Sequence, residues 1–214
     1  VAFDAGKTTF RTEMFADYKA GRAKTPEEFR EQFPYIREML AARGIAYYDL
    51  AQYEADDIIG TLAKMAENTS EDYHITVVSG DKDLIQLTDE NTVVEISKKG
   101  VAEFEAFTPD YLMEKMGITP AQFIDLKAKM KENLINDKEQ AFLSKTLATI
   151  DTQSPIEIGL DDTAFTGPDL EKLAAFYDEM GFVQFKNALG GEAVPQDFDV
   201  AYAEPSQVTE AHFS

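Results

Sequence analysis

At 214 residues, with 44% hydrophobic and 11% aromatic residues, the chain is long enough for one large or two small domains with a true core. The absence of cysteine excludes disulfides and thiolate zinc sites, and no run approaches the roughly 18–20 apolar residues of a membrane span. A net charge of -20 argues against simple electrostatic attraction to nucleic acid or to an anionic membrane.

The chain opens on Val1-Ala2-Phe3-Asp4, a short apolar run that reads as the tail of a buried strand ending at Asp4. Without an initiator Met or a signal-peptide pattern, it is expected to start inside a longer protein. Residues 5–25 lack periodicity and read as a loop or a partly helical excursion. The stretch from Ala5 to Pro26 is locally basic, with Lys7, Arg11, Lys19, Arg22 and Lys24 against Glu13 and Asp17. Phe10, Phe15 and Tyr18 interleave with these bases, as in a channel for single-stranded nucleic acid, or equally as in the core of a folded loop.

Thr25-Pro26-Glu27-Glu28 predicts a helix start. Phe29, Phe33, Ile36 and Leu40 continue it at helical spacing, with a kink at Pro34 and a stop at Gly44. Ile45 to Leu50 reads as a strand. Ile58, Ile59, Leu62, Ala63, Met65 and Ala66 form the apolar stripe of the next helix, so Glu54, Asp56 and Asp57 lie at or before its first turn. Ile75 to Val78 is continuously apolar and β-branched, as in a strand buried on both faces of a parallel sheet. Asp81 and Asp83 follow at its carboxyl end, and Leu84 to Leu87 begin a short helix.

Thr92 to Ile96 and Val101 to Phe107, joined through Lys98-Lys99-Gly100, predict a hairpin. Thr108-Pro109 and Thr119-Pro120 start two helices separated by Gly117. Ala121 to Ile150 reads as one amphipathic helix, and Thr152 to Leu160 as a loop or short strand. Pro168 to Met180 is a helix closed by Gly181, and Phe182 to Leu189 a shorter one. From Gly190 on, the acidic, Gly- and Pro-containing stretch reads as a linker. The fold class is therefore α/β, a parallel-sheet core followed by a mostly helical part.

Five carboxylates stand at two places, the start of one helix and the end of one strand. Acids in a first turn complement the helix dipole, and Gly-Asp pairs suit turns, so each group taken alone has a structural explanation. Together with Asp4 they fall at the carboxyl edge of a parallel sheet, where α/β folds place their sites. Hard divalent cations take oxygen ligands of this kind, with substrate phosphate completing the shell. Lys7 and Arg11 begin a basic arm over that edge, suited to phosphate.

V-A-F-D-A-G-K-T-T-F-R, D-Y-K-A-G-R, Q-Y-E-A-D-D-I-I-G, V-V-S-G-D-K-D-L-I-Q-L and F-I-D-L-K-A resemble the N-terminal 5′-nuclease domain of the bacterial DNA polymerase I family, a branch of the flap-endonucleases. The resemblance runs over most of residues 1–189. It implies a PIN-like core that binds two or more Mg²⁺ or Mn²⁺ ions through Asp4, Glu54, Asp56, Asp57, Asp81 and Asp83. It also implies phosphate contacts from Lys7 and Arg11, and an arch including Tyr18, Lys19 and Arg22. The implied activity is hydrolysis of phosphodiesters in 5′ flaps and RNA primers during DNA replication and repair. The implied setting is a cytoplasmic monomer that binds branched or RNA-primed DNA, with polymerase domains on the same chain.

On this reading residues 1–128 are the nuclease core, with the basic arch at about 5–44. Residues 129–189 are a helical DNA-binding remnant, and 190–214 a linker towards the next polymerase domain. Two departures stand out. The family's opening strand, commonly ending in D-G-N-S, would lie before Val1. After F-I-D-L-K-A the family continues with a G-D-K-S-D-N-I-P-G-type stretch that supplies further acids and a helix–hairpin–helix. Here Ala128 runs directly into Lys129-Met130-Lys131-Glu132-Asn133. A chain that lacks these acids is the basis of an alternative, a relative that binds branched DNA without cutting it. An acidic Ca²⁺-binding or protein-interaction domain is a third reading, resting on charge alone.

Overall fold

The computed structural model describes residues 1–21, 25–99, 103–126 and 138–189. Strand β1 (Ala2–Thr9) pairs in parallel with β2 (Tyr48–Gln52), Ala2 opposite Tyr48 and Asp4 opposite Leu50. The register breaks after Asp4 and resumes at Thr9 opposite Gln52. A second sheet has the order β3 (Ile75–Ser79), β4 (Thr92–Lys99), β5 (Glu103–Phe107). β3 and β4 are parallel, whereas β4 and β5 form the antiparallel hairpin that the sequence predicts.

Helix α1 (Phe10–Met14) follows β1, so the segment expected to be a loop opens as strand and helix. Thr12, at the third helical position, fixes the turn: the Thr9 N–H donates to its hydroxyl at 2.9 Å, and the hydroxyl donates back to the Thr9 carbonyl. The long helix expected from Thr25 is two, α2 (Glu27–Arg30) and α3 (Phe33–Ala42). Pro34 lies in the first turn of α3, where its missing N–H has no intrahelical role, so it starts a helix instead of kinking one. Gly44, at φ +70°, ends α3 in the left-handed region.

Helix α4 (Ala55–Glu67) bridges the sheets, packing against β1, β2, β3 and the 3-10 helix Lys82–Leu87. Its buried stripe includes Ile58, Ala63 and Ala66. β3 is not buried on both faces as its apolar run suggests: Val77 is 5% exposed, but Val78 is 57% exposed. β3 has β4 as its sole partner strand among the described residues, and the exposure of Val78 shows that one of its faces is open there.

Helices α5 (Pro109–Met116) and α6 (Pro120–Leu126) follow the two Thr-Pro signals, with Gly117 in the left-handed region between them. α7 (Lys138–Ala148) covers the later part of the stretch read as one helix; residues 127–137 lie outside the described residues, as does the linker from Gly190. α8 (Leu170–Glu179) and α9 (Val183–Leu189) close the described chain. One buried cluster joins Val77, Leu84, Ile85, Val94, Ile96, Phe107 and Leu112 to Ile118, Phe123 and Ile150. A smaller one packs Leu173, Phe176 and Tyr177 of α8 on Ala42 of α3. Among the described residues no helix is long and apolar enough to cross a membrane.

Candidate active site

The site is built on the N-terminus of α4. Glu54 is its N-cap residue, and Asp57 stands three positions on, where its carboxylate accepts the Glu54 N–H at 3.0 Å. Asp4, exposed on β1, accepts the Ala55 N–H at 2.8 Å and so occupies another of the helix's unsatisfied donors. Asp81 caps the 3-10 helix by accepting the Asp83 N–H at 2.9 Å. Glu54, Asp56, Asp81 and Asp83 line one crevice with Arg11, Tyr18 and Lys19. Its free volume is about 10 Å³, space for about one water or ion.

Charge is distributed unevenly in this crevice. Asp57 is wholly buried and receives two Arg11 hydrogen bonds, at 2.6 and 2.7 Å, plus the Asp151 N–H at 2.9 Å. Burial alone would push its carboxyl up, but Arg11 and the two N–H groups outweigh that and hold it below the ordinary value. Glu54 accepts from Lys19 Nζ at 2.6 Å and from the Tyr18 hydroxyl at 3.2 Å, with Arg11 at 3.4 Å. Burial works against the Lys19 ammonium, but Glu54 more than offsets it, and the pKa of Lys19 is raised. Asp56 fares differently. Burial and then the charge of Asp81 push its carboxyl from 3.8 up to about 6, with Lys19 offsetting only part of this.

Of the residues the sequence singles out, the structure brings Glu54, Asp56, Asp81, Asp83, Arg11, Tyr18 and Lys19 to the crevice, and sets Asp57 behind it on α4 and Asp4 on β1 against the first turn of α4. The Lys7 side chain and all of Arg22 lie outside the described residues. Among the described residues no three acids or histidines converge as a ready-made cation cage. The physical reason is visible: Glu54 and Asp57 are turned onto their own cations. The donor set nonetheless fits a hard divalent ion, since it is all oxygen and Lys19 offsets only part of the burial and Asp81 charge that raise Asp56.

The sequence expectation for Arg11 is a contact to phosphate. In this structure it is 2% exposed, and its Nε and one terminal nitrogen also donate to the carbonyls of Leu147 and Thr149, at 3.0 and 2.8 Å. Tyr18 and Lys19, expected in an arch over DNA, are the partners of Glu54 in this structure. Sequence reasoning missed Gln86 and the segment Leu147–Asp151. Gln86 is the one polar residue within Leu84–Leu87, which is a signal. Leu147–Asp151 contributes mainly main-chain atoms, and no side-chain pattern announces those.

The description "5′-3′ exonuclease, N-terminal resolvase-like domain" fits a sequence family that matches residues 1–117, more than half of the chain. The chain belongs to this 5′-3′ exonuclease family. DNA polymerase I of Streptococcus pneumoniae is 65% identical over 232 residues, covering 88% of this chain and 26% of the relative. The Lactococcus lactis enzyme is 58% identical over 236 residues (90% and 27%), and that of Bacillus subtilis 40% over 242 (93% and 27%). The chain spans about a quarter of the length of these relatives and corresponds to their 5′-3′ exonuclease portion. The matched stretches are longer than the 214 residues of the chain itself. The relatives therefore carry residues within the match that have no counterpart here.

Solved structures agree on the fold. A zinc-bound T5 5′-exonuclease superposes with a TM-score of 0.56 at 20% identity, covering 86% of this chain and 83% of that one. A T5 flap endonuclease in a pseudo-enzyme-product complex with DNA and metal ions gives 0.56 at 17% identity over 88% and 81%. The 5′-nuclease family thus sits on the α/β architecture expected for the chain.

Proposed function

We propose that this exonuclease-family chain hydrolyses phosphodiesters at 5′ flaps and RNA-primed 5′ ends in a divalent-metal-dependent reaction, using Mg²⁺ or Mn²⁺. One observation carries the reading: Glu54, Asp56, Asp81 and Asp83 line one crevice, where burial and then the charge of Asp81 hold the Asp56 carboxyl up at about 6. A cation that relieves this repulsion gains affinity from it. Asp56, Asp81 and Asp83 would hold it first, with Glu54, Asp4 and Asp57 behind them. When bound, it supplies Lewis acidity to the scissile phosphate and lowers the pKa of water. Lys7, Lys19, Arg22 and Tyr18 are proposed contacts to the DNA strand.

Residues 1–128 are proposed as the nuclease core, with the arch at about 5–44, residues 129–189 as a DNA-binding remnant and 190–214 as a linker. The residues that relatives carry and this chain lacks are proposed to fall at the Ala128–Lys129 junction. A cytoplasmic monomer with polymerase domains on the same chain is the proposed context. The test is cleavage of a labelled 5′-flap duplex with and without Mg²⁺, beside Asp81→Asn. Metal-dependent cutting that the variant loses is expected. Tight flap binding without cutting by the parent, or equal cutting by the variant, overturns the proposal.

A further inference from the structure

Five consecutive residues after the acidic core, Leu147 to Asp151, have main-chain atoms bound by side chains from that core. Arg11 donates to the Leu147 and Thr149 carbonyls. Gln86 Nε2 donates to the Ala148 carbonyl at 3.0 Å, and Gln86 Oε1 accepts the Ile150 N–H at 2.9 Å. Asp57 accepts the Asp151 N–H, and the Thr61 hydroxyl donates to the Asp151 carbonyl at 3.3 Å. The same stretch lines the crevice through Leu147, Ala148 and Ile150, and Ile150 is 6% exposed within the main core.

Two of these carbonyls, of Leu147 and Ala148, belong to the last turn of α7 and that of Thr149 follows directly, where a helix leaves acceptors unsatisfied and its dipole is negative. Such an end beside four carboxylates is repelled unless donors stand between them. Arg11 is that donor for the α4 acids, and Gln86 for the Asp83 turn, whose carbonyl it also binds at 2.7 Å. A guanidinium has five N–H groups. Four are committed to Asp57, Leu147 and Thr149, and the nitrogen carrying the fifth lies 3.4 Å from Glu54. Gripping a phosphate would require Arg11 to release partners it holds in a buried place.

We infer that Leu147–Asp151 is a wall of the acidic crevice, and that Gln86 and Arg11 are positioning residues whose seating of it sets the carboxylate geometry for a divalent cation. The second half of the inference rests on the metal-dependent reading above. With the wall seated, Asp57 stays fixed to α4 and Asp83 stays fixed to its turn. With it loose, both acid groups lose their common anchor.

The full chain, its Gln86→Ala and its Arg11→Lys variants are compared by hydrogen exchange without metal or DNA, by Mn²⁺ titration, and by binding to a 5′-flap duplex in EDTA. In Gln86→Ala we expect exchange of the 147–151 amides to quicken at least tenfold while β4 and β5 stay protected. The Mn²⁺ concentration for half-saturation should rise several-fold. Gln86 touches no candidate ligand side chain, so a purely structural role would leave Mn²⁺ affinity unchanged in the folded variant; that result overturns the inference. Unchanged exchange in both variants also overturns it. So does Arg11→Lys that weakens flap binding while exchange stays at the parent level, since Arg11 would then be a phosphate ligand. A parent that neither binds Mn²⁺ nor cuts sinks the nuclease reading and the cation half together, and the exchange result still decides the seating.

Discussion

Replacing Asp56 by Asn should make the metal-free protein more stable while damaging its proposed site. The Asp56 carboxyl is raised from 3.8 to about 6, by burial first and then by Asp81. An acid whose folded pKa is raised costs stability when it is ionised. The cost is full above about pH 6, fades as the pH falls through that value, and is gone below 3.8. A shift of about 2 units corresponds to about 3 kcal/mol. Asp56 keeps part of its surface in water, so we discount this to about 1–2 kcal/mol. Urea unfolding in EDTA should show Asp56→Asn ahead of the parent by that amount at pH 8 and near parity at pH 4. Saturating Mg²⁺ should then stabilise the parent and leave the variant nearly unmoved, because a ligand stabilises only the state that binds it. A variant no more stable than the parent at pH 8, or one equally ahead at both pH values, would refute the reasoning.

The Arg11–Asp57 pair makes a second case. Arg11→Met leaves a wholly buried carboxylate without its counter-ion, which should cost about 3–5 kcal/mol, and Asp57→Leu added to it should recover at least half. A double-mutant cycle by urea unfolding measures this; a loss under about 1 kcal/mol for the single variant would contradict the buried pairing. Gly44→Ala and Gly181→Ala separate backbone strain from collision. Both glycines have positive φ, but a Cβ on Gly44 would collide with the Gly167 carbonyl oxygen, whereas one on Gly181 meets nothing within 4 Å. Thermal unfolding should therefore put the Gly181 variant about 1 kcal/mol below the parent and the Gly44 variant about 2–4 kcal/mol below.

What could be read in advance follows from which interactions are local. The stripe of α4, the Thr-Pro starts of α5 and α6, and the β4–β5 hairpin are set by residues within a few positions of each other. They stand where their patterns place them. The gathering of Glu54, Asp56, Asp81 and Asp83 was also legible, because strand ends and helix starts in α/β folds share an edge. Arg11 was not. Its type suits phosphate as well as carboxylate, and its partner Asp57 lies 46 positions away while its carbonyl acceptors lie 136 and 138 away. The split at Glu31–Gln32 escaped for a different reason: Pro34 is compatible with a kink and with a first turn, and periodicity alone does not choose. Val78 misled because an apolar run records strand propensity, not the number of layers above it.

The wall of the crevice has one further consequence, for how freely its sequence can drift. Arg11 and Gln86 recognise carbonyl and amide groups, which every residue except proline offers in full. Leu147, Ala148 and Thr149 can therefore change identity without loss of those hydrogen bonds, provided the path of the chain is kept. The tolerance ends at positions 150 and 151, where the amide N–H itself is bound and proline would remove it. Two side chains in the early part of the chain thus hold a later segment by its shape, and leave the letters at 147–149 almost unconstrained, whereas Ile150 is fixed by its place in the core.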